Sequence, residues 1–199
     1  MSLVDQPHRW PRDAAATKAR ILEAAVEEFS AHGLAGARVD RIADKAGANK
    51  RLIYVYFGSK DKLFDATLEA RVSELADAVP FTPEDLGAYV GALFDQLVAN
   101  PVVVRLTIWR NLERDRTTEQ ETAVYATKLA QVRAAQHAGA IDSELPAADV
   151  MAIVLALAMS WVTAPPPLKA LSRGDPASPG RLRAHRAALV RVVTRALSP

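Results

Sequence analysis

The stretch RVDRIADKAGANKRLIYVYFGSKDKLF, residues 38–64, holds the pattern that decides the fold of this chain. Two short periodic segments, 39–46 and 49–57, are joined around Gly47, which leaves room only for a tight corner between two helices. A glycine suits that corner because it adopts a left-handed backbone without strain. Small or apolar residues fall where such a pair packs on itself, at Ile42, Ala43, Ala46, Ala48, Ile53 and Tyr56. The pattern predicts a helix-turn-helix.

Positive charge is concentrated in the same segment. Between residues 38 and 62 there are seven basic and three acidic residues, a local balance of +4, whereas residues 79–199 hold 13 basic and 11 acidic ones. The whole chain has a formal net charge of only +2. A local excess of this kind predicts an interface with nucleic acid. The alternative is an ordinary solvated face on a buried helix pair.

Lys60 occupies the first turn of a helix that Ser59 is predicted to cap. A cation at this position opposes the helix dipole and costs roughly a few tenths of a kcal/mol, unless an anion binds beside it. A DNA phosphate held by the Ser59 hydroxyl, the Lys60 ammonium and the free N–H groups would remove that cost. The alternative is a solvated lysine.

Elsewhere the apolar residues also recur at intervals of three and four, and strand signals are almost absent. We therefore expect an all-α fold of about nine helices, the first capped by Thr17 and stopped at His32-Gly33. The predicted helices span 17–32, 39–46, 49–57, 60–78, 83–99, 101–112, 118–138, 147–164 and 181–197, with a loop over 168–180. The predicted domains are a flexible arm over 1–16, a helix-turn-helix domain over 17–65 with a linking helix to 78, and a ligand-binding and dimerisation domain over 79–199.

Several classes of function lack their sequence signals. There is no cysteine, which excludes disulfides, thiolate metal sites and cysteine nucleophiles. The motifs of zinc proteases, P-loop NTPases, serine hydrolases and dinucleotide-binding enzymes are absent, and the histidines are scattered at 8, 32, 137 and 185. No signal peptide opens the chain, and the proline-broken stretch 150–168 is too short to span a membrane. We expect no catalysis, metal, cofactor or membrane association, and a cytoplasmic location.

Together these features resemble the TetR family of bacterial transcriptional regulators. The resemblance covers residues 17–65 and joins a capped first helix, the helix-turn-helix and an aromatic-to-lysine run at the right spacings. It rests on Arg20-Ile21-Leu22-Glu23-Ala24-Ala25, Phe29, Gly33, Val39, Ile42-Ala43, Ala46-Gly47 and Tyr54-Val55-Tyr56-Phe57-Gly58-Ser59-Lys60-Asp61-Lys62-Leu63-Phe64. The other two thirds resemble the family only in helix number and length.

The resemblance implies a homodimeric transcriptional repressor that binds sites on double-stranded DNA. Its all-helical second domain would bind a small-molecule effector, which this sequence does not identify, and its two C-terminal helices would form the dimer. An activator would carry the same DNA-binding sequence. The residues that the family places at the DNA are, by position, Arg38, Lys50, Arg51, Leu52, Tyr54, Tyr56 and Lys60.

Within that set, Lys50, Arg51 and Leu52 would face base edges, with Tyr54 beside them. Tyr56 and Lys60 would hold phosphates. Arg38 stands where the family often has a threonine, and an arginine there would reach a phosphate or a groove. Arg51 and Leu52 also depart from the small residue and the threonine frequent at their positions. The base preference of relatives therefore does not transfer.

The chemistry of these side chains suggests what they would read. Lys50 and Arg51 suit the acceptor edge of guanine, Arg51 bidentately, and Leu52 suits a thymine methyl group. Two-fold symmetry predicts a palindrome with half-sites about 34 to 36 Å apart, or slightly more. In the arm, Arg9 and Arg12 would either enter a minor groove or belong to an uninvolved tail.

The second half offers an apolar helix over 150–162 and an apolar stripe on the last helix. The stripe comprises Leu182, His185, Leu189, Val192, Val193 and Ala196. Two such helices from each chain would form a four-helix dimer core, and the alternative is packing within one chain. An apolar ligand cavity with a few polar groups would draw on Tyr89, Phe94, Arg105, Trp109, Tyr125, Met159 and Trp161.

One further function is compatible with the helical pattern. A small-molecule-binding protein or protein-protein adaptor with a vestigial helix-turn-helix would have the same helices, but it would leave the basic cluster unexplained. Replacing Lys50, Arg51 and Lys60 with alanine separates the two functions, provided that the variant still folds.

Overall fold

The computed structural model describes residues 10–114, 116–172 and 174–199, with no account of the side chains of residues 10–13. Over these residues the fold is all-α, as predicted, with ten α-helices and no strand. The helices are α1 (Trp10–Gly36), α2 (Val39–Ala46), α3 (Lys50–Phe57), α4 (Lys60–Ala78), α5 (Leu86–Ala99), α6 (Pro101–Glu113), α7 (Glu119–His137), α8 (Ala147–Met159), α9 (Pro166–Ala170) and α10 (Pro179–Leu197), with a 3-10 turn at Pro83–Asp85.

The chain divides into two compact units. Among the described residues, the first unit holds 10–72 and 105–114, and the second holds the remainder. The sequence-based division assigned 105–114 to the second domain, but this part of α6 packs within the first unit. Helices α4 and α6 each contribute residues to both units.

The first unit packs α1 to α4 around an apolar centre. Phe29 of α1 and Phe64 of α4 meet edge to face, with ring centroids 5.1 Å apart, and both are fully buried. Ile42 and Ile53, one from each helix of the predicted helix-turn-helix, are also fully buried. The small and apolar positions quoted from the sequence therefore face this core, except that Ala48 and Tyr56 are half-buried.

The first helix begins earlier than predicted. Thr17 does not cap α1, because the helix begins at Trp10 and Thr17 lies buried within it, where its hydroxyl accepts from the Arg20 guanidinium at 3.2 Å. Alanines 14–16 extend the helix, since alanine is the best helix former. The predicted flexible arm is thus helical over 10–16. Arg9 and the Arg12 side chain lie outside the described residues, so their groove contact stays a prediction.

The predicted stop of this helix is confirmed. Gly33 has φ of 69° and ψ of −175°, which breaks the helical path inside α1. L-residues seldom adopt this backbone conformation, whereas glycine does so without strain. The chain can therefore turn away from the axis of α1 before α2 begins.

The second unit is built around an apolar core from α5, α7, α8 and α10. Val90, Val132, Val150 and Val193 are fully buried, one from each of these helices. A glycine allows α10 to approach α5 closely, since a β-carbon at Gly87 would overlap Oγ1 of Thr194 on α10. The apolar pattern of this half thus produces a core of its own.

Two predicted bounds in this unit were wrong. The helix predicted over 147–164 ends at Met159, and α9 begins at Pro166, partly within the predicted loop. The prolines that were interpreted as helix breakers occupy the first turn of α9, where their missing N–H costs nothing.

Among the described residues no single helix is long and apolar enough to cross a bilayer. The helices over 83–99 and 101–113 reach that length and hydropathy only together, as a pair bent by 95°.

Candidate nucleic-acid interface

The corner between α2 and α3 has the predicted geometry. Gly47 adopts the left-handed conformation, with φ of 57° and ψ of 39°, and the Ala48 N–H donates to Ala43 O at 3.0 Å. The Asn49 side-chain oxygen then caps α3 by accepting from the Arg51 N–H at 2.8 Å. Local hydrogen bonds therefore set where α3 begins and which of its faces points outward.

One face of α3 is open to solvent. Lys50, Arg51, Tyr54 and Val55 are exposed and fall on one side of the helix, because residues four apart nearly coincide around its axis. Val55 has 66% of its surface exposed and was not among the predicted contacts, although its spacing from Arg51 was a usable signal. An exposed apolar side chain beside two cations suits a surface that meets bases.

The flanks of α3 carry the other predicted contacts. Leu52 and Tyr56 are half-buried and lie between the exposed face of α3 and its buried face. Arg38 is the exposed residue before α2, and its backbone N–H donates to Glu28 at 2.7 Å. The DNA contacts of these residues stay predictions.

Most of the local positive charge is already used within the protein. Arg41 pairs with Glu28, Lys45 with Glu27, and Lys50 with Asp40 at 2.7 Å. The basic residues of the segment that form no ion pair and no hydrogen bond to a carbonyl among the described residues are Arg38, Arg51 and Lys62. The charge of Arg38 nevertheless acts on the Asp40 carboxylate. A count of basic residues in the sequence therefore overstates the charge that is free to bind DNA.

Glu28 is a buried carboxylate that joins α1 to the start of α2. It accepts from the Arg38 N–H at 2.7 Å and from the Arg41 guanidinium at 2.6 to 3.0 Å, and His32 lies 3.9 Å away. Burial is the largest influence and raises the pKa of Glu28, but the Arg41 and Arg38 hydrogen bonds and the nearby positive charges together lower it. Glu28 was not among the residues predicted to matter, although its spacing from Ile21 and Ala25 places it on the apolar stripe of α1.

Lys60 has partners that the sequence did not suggest. Its ammonium donates to Ala37 O at 3.2 Å and to Ala35 O at 3.4 Å, at the end of α1. Ser59 caps α4 as predicted, by accepting from the Lys62 N–H at 3.1 Å. The backbone before α2 thus supplies carbonyl partners for Lys60, and the predicted contact of Lys60 with a DNA phosphate stays a prediction.

Side chains of α6 form hydrogen bonds to the C-terminal part of α1. Arg105 Nε and Trp109 Nε1 both donate to Ser30 O, at 2.7 and 3.3 Å, and Glu113 accepts from the Leu34 N–H at 2.5 Å. The Trp109 ring would lie 2.7 Å from any β-carbon at Gly33. Arg105 and Trp109 were predicted to line a ligand pocket, and both pack on α1 in the first unit, so that their contact with a ligand stays a prediction.

The other five ligand candidates lie in the second unit. Tyr89, Phe94 and Trp161 are buried in its core, Met159 packs against that core, and Tyr125 is exposed. Their contact with a ligand stays a prediction. Over the parts of the chain that the structure describes, no cluster of side chains fits a metal ion.

Two aromatic rings and a lysine lie together in the second unit. Phe81 meets Tyr89 edge to face at 5.0 Å, and the Lys128 ammonium lies 5.7 Å from the centre of the Phe81 ring. Burial lowers the pKa of Lys128, and burial together with the nearby Tyr125 raises the pKa of Tyr89. Among the described residues no carboxylate pairs with Lys128.

A helix-turn-helix whose second helix exposes two cations and an aromatic ring defines a DNA-binding regulator. Residues 21–67 match the family model for bacterial regulatory proteins of the tetR family, and residues 85–195 match that for the tetracyclin repressor-like C-terminal domain. The chain therefore belongs to the TetR family, as the sequence analysis predicted, and it is a DNA-binding transcriptional regulator.

Relatives match over nearly the whole chain. The chain is 40% identical over 190 residues to the HTH-type transcriptional repressor SCO4008 of Streptomyces coelicolor, which covers 92% of this chain and 98% of the relative. The crystal structure of SCO4942 from Streptomyces coelicolor is similar, with a TM-score of 0.78 and 39% identity over 91% of this chain and 98% of that one. FadR from Bacillus subtilis, solved in complex with stearoyl-CoA, shares only the fold, with a TM-score of 0.62 and 16% identity over 88% of this chain and 97% of that one.

Proposed function

We propose that the protein is a homodimeric repressor that binds a palindromic operator and leaves it when a small molecule binds the second unit. The observation that carries this proposal is the open face of α3, where Arg51 is exposed without a partner among the described residues. Its relative SCO4008 is named a repressor, which supports the sign of regulation. The proposal includes a cytoplasmic location and no catalytic role.

On the operator, Arg51 would read guanine O6 and N7 bidentately, and Lys50 would approach a neighbouring guanine. Tyr54 and Val55 would pack beside them, and half-buried Leu52 would reach a thymine methyl only from the rim of this face. Arg38, Tyr56 and Lys60 are proposed contacts to the DNA backbone, which fix the register of docking without reading bases. Lys60 can take this role only by giving up its carbonyl partners.

The proposed dimer uses α8 and α10. Ile153 on α8 and Val192 on α10 have 39% and 49% of their surfaces exposed, and Ala152 and Ala156 extend the open apolar face of α8. Part of the stripe predicted on α10 has another use, since Leu189 and Val193 are buried within the same unit. The surface left for a partner chain is therefore smaller than the sequence suggested.

The proposed effector binds the second unit beside Tyr89, Tyr125 and Lys128. Lys128 favours an acidic effector, because a desolvated ammonium without a carboxylate gains a partner when such a ligand binds. The effector must prefer the conformer whose recognition helices are wrongly spaced for DNA. Helices α4 and α6 are candidates to transmit the change, since each is continuous through both units.

The first test is selection of bound duplexes from a random DNA pool by the purified protein. We expect a palindrome that binds in the nanomolar range and one dimer for each site, as measured by titration and sedimentation. Recovery of unspecific, salt-labile duplexes alone would instead favour the adaptor or ligand-binding alternative.

The dimer is tested separately by Ile153→Glu, which places a charge on the proposed contact. We expect the variant to sediment as a monomer and to lose operator binding at concentrations where the wild type is saturated. Val124→Glu is the matched control, because Val124 is 49% exposed on α7, outside the proposed interface. Dimerisation unaffected by Ile153→Glu would refute this interface.

A further inference from the structure

An exposed ion pair joins the two helices of the helix-turn-helix on the face proposed to meet DNA. Asp40 Oδ1 of α2 lies 2.7 Å from Lys50 Nζ of α3, and the two side chains keep 54% and 48% of their surfaces exposed. The hydrogen bond between them and their opposite charges lower the pKa of Asp40 and raise the pKa of Lys50. Both groups are therefore charged at neutral pH.

The position of Lys50 explains why a carboxylate is useful there. Lys50 is the first residue of α3, whose first turn contains no acidic residue, so its ammonium opposes the positive end of the helix dipole. The carboxylate of Asp40 comes from the neighbouring helix and offsets that repulsion. It also fixes the direction of a side chain that would otherwise be free to rotate.

The opposite charges of Asp40 and Lys50 nearly cancel at distances much greater than their separation, so a distant phosphate is acted on by almost no net charge from this pair. Non-specific binding to DNA depends on free cations that displace counterions. A lysine held by a carboxylate contributes less to such binding than a free one. Base readout depends instead on where the ammonium is held relative to the guanine edge.

We propose that Asp40 is a positioning residue for sequence recognition, which withholds Lys50 from phosphates and presents it to a base. The inference rests on the proposed function, because it needs an operator to be recognised. Without Asp40, Lys50 can bind phosphates on any duplex, whereas on the operator its base contact is less well oriented. Asp40 thus determines the ratio of operator to random affinity more than it determines total affinity.

The test is Asp40→Asn in the full-length protein, titrated against the selected operator and a random duplex of equal length over a series of salt concentrations. We expect random DNA to bind several-fold more tightly, with a salt slope steeper by about 0.9. The affinity ratio should fall about tenfold. Asp40→Glu, which keeps the carboxylate, should restore most of the ratio.

Asp44→Asn is the matched control. Asp44 lies one turn further along α2, is exposed, and has no ion pair among the described residues. This variant removes the same charge without releasing Lys50. We expect its affinity ratio to remain that of the wild type.

A double-mutant cycle with Lys50→Gln decides whether Asp40 acts through Lys50. We expect Asp40→Asn to leave the affinity ratio unchanged once Lys50 is glutamine. An equal fall of the ratio in both backgrounds would overturn the proposal, because Asp40 would then act directly on the DNA. An equal change on operator and random DNA in the wild-type background would overturn it as well.

The proposed function and this inference fail in different measurements. If the wild-type protein selects no palindrome, the proposed function fails and the inference fails with it. If the wild type selects a palindrome but Asp40→Asn keeps the wild-type affinity ratio, only the inference is overturned.

Discussion

The two units are stabilised by different kinds of contact. The first unit fixes its helix-turn-helix with charged side chains bonded to backbone groups, such as Glu28 on the Arg38 N–H and Lys60 on Ala37 O. The core of the second unit is almost entirely apolar, with Val90, Val150 and Val154 among its fully buried residues. The difference shows why the first unit can be recognised from few residues, since polar contacts require particular side chains, whereas apolar cores accept many combinations of similar volume.

The largest effect that we predict is that of Glu28→Ala in the first unit. The substitution leaves the Arg38 N–H and the Arg41 guanidinium without their acceptor, and we expect a loss of about 3 kcal/mol of stability. Thermal unfolding followed by circular dichroism measures the loss. A change below about 0.5 kcal/mol would show that these contacts do not stabilise the first unit.

The pH dependence of the same variant sharpens this comparison. Because the pKa of Glu28 is lowered on folding, its contribution is present above the ordinary value of 4.5 and is lost as the pH falls through the folded-state value. The stability gap between wild type and Glu28→Ala should therefore narrow as the pH is lowered below 4.5. A gap that stays constant down to acid unfolding would contradict the role of the charge.

The next effect concerns the open face of α3. We expect Arg51→Ala to cost about 2 kcal/mol on the operator and much less on random DNA, because a bidentate contact to guanine is lost. Binding titrations on both duplexes, and on operators with single base changes, provide the measurement. Equal losses on operator and random DNA would reassign Arg51 to the phosphates.

A smaller effect is expected at Lys60, which bonds backbone carbonyls and is proposed to contact a DNA phosphate. The first role affects stability and the second affects the salt dependence of DNA binding. We expect Lys60→Ala to lower stability by about 1 kcal/mol through loss of its carbonyl contacts, and to reduce the salt slope of DNA binding by about one through loss of its proposed phosphate contact. Lys62→Ala, in the same turn, should leave stability within about 0.5 kcal/mol of the wild type. A salt slope that Lys60→Ala leaves unchanged would contradict the proposed phosphate contact and leave Lys60 with a structural role alone.

The smallest effect is expected in the second unit. Met151 is buried in its apolar core, and Met151→Leu conserves volume, so we expect a change of about 0.5 kcal/mol in stability and unaltered operator binding. Calorimetry and titration check both. A loss as large as that of Glu28→Ala would remove the contrast between the two units.

Much of the first unit could be predicted because its signals are local. Gly47 at the corner and Ser59 at the start of α4 act within a few residues of their own positions, and both were found. Glu113 could not be found, since it caps N–H groups at Leu34 and Ala35 that lie nearly 80 residues earlier. The carbonyl partners of Lys60 could not be found for the same reason, because they lie at and just beyond the end of α1, more than 20 residues earlier.

The candidate site was predictable in outline but not in its charge balance. The basic cluster and the face of α3 follow from helical spacing, whereas the pairing of Lys50 with Asp40 needs the tertiary approach of α2 to α3. In the second unit the apolar residues predict a core, but no local signal distinguishes a residue that packs from one that contacts a ligand. Phe94 and Trp161 are both buried there, as either role requires.

The placement of tryptophan provides each unit with its own optical reporter. Trp109 donates its indole N–H to Ser30 O in the first unit, whereas Trp161 bonds Pro176 O and lies 4.4 Å below the Arg181 guanidinium in the second. With Trp10 replaced by phenylalanine, Trp109→Phe and Trp161→Phe each leave a single fluorophore. An effector that perturbs the emission of Trp161 at once and that of Trp109 after a delay would let the signal be timed as it passes from one unit to the other.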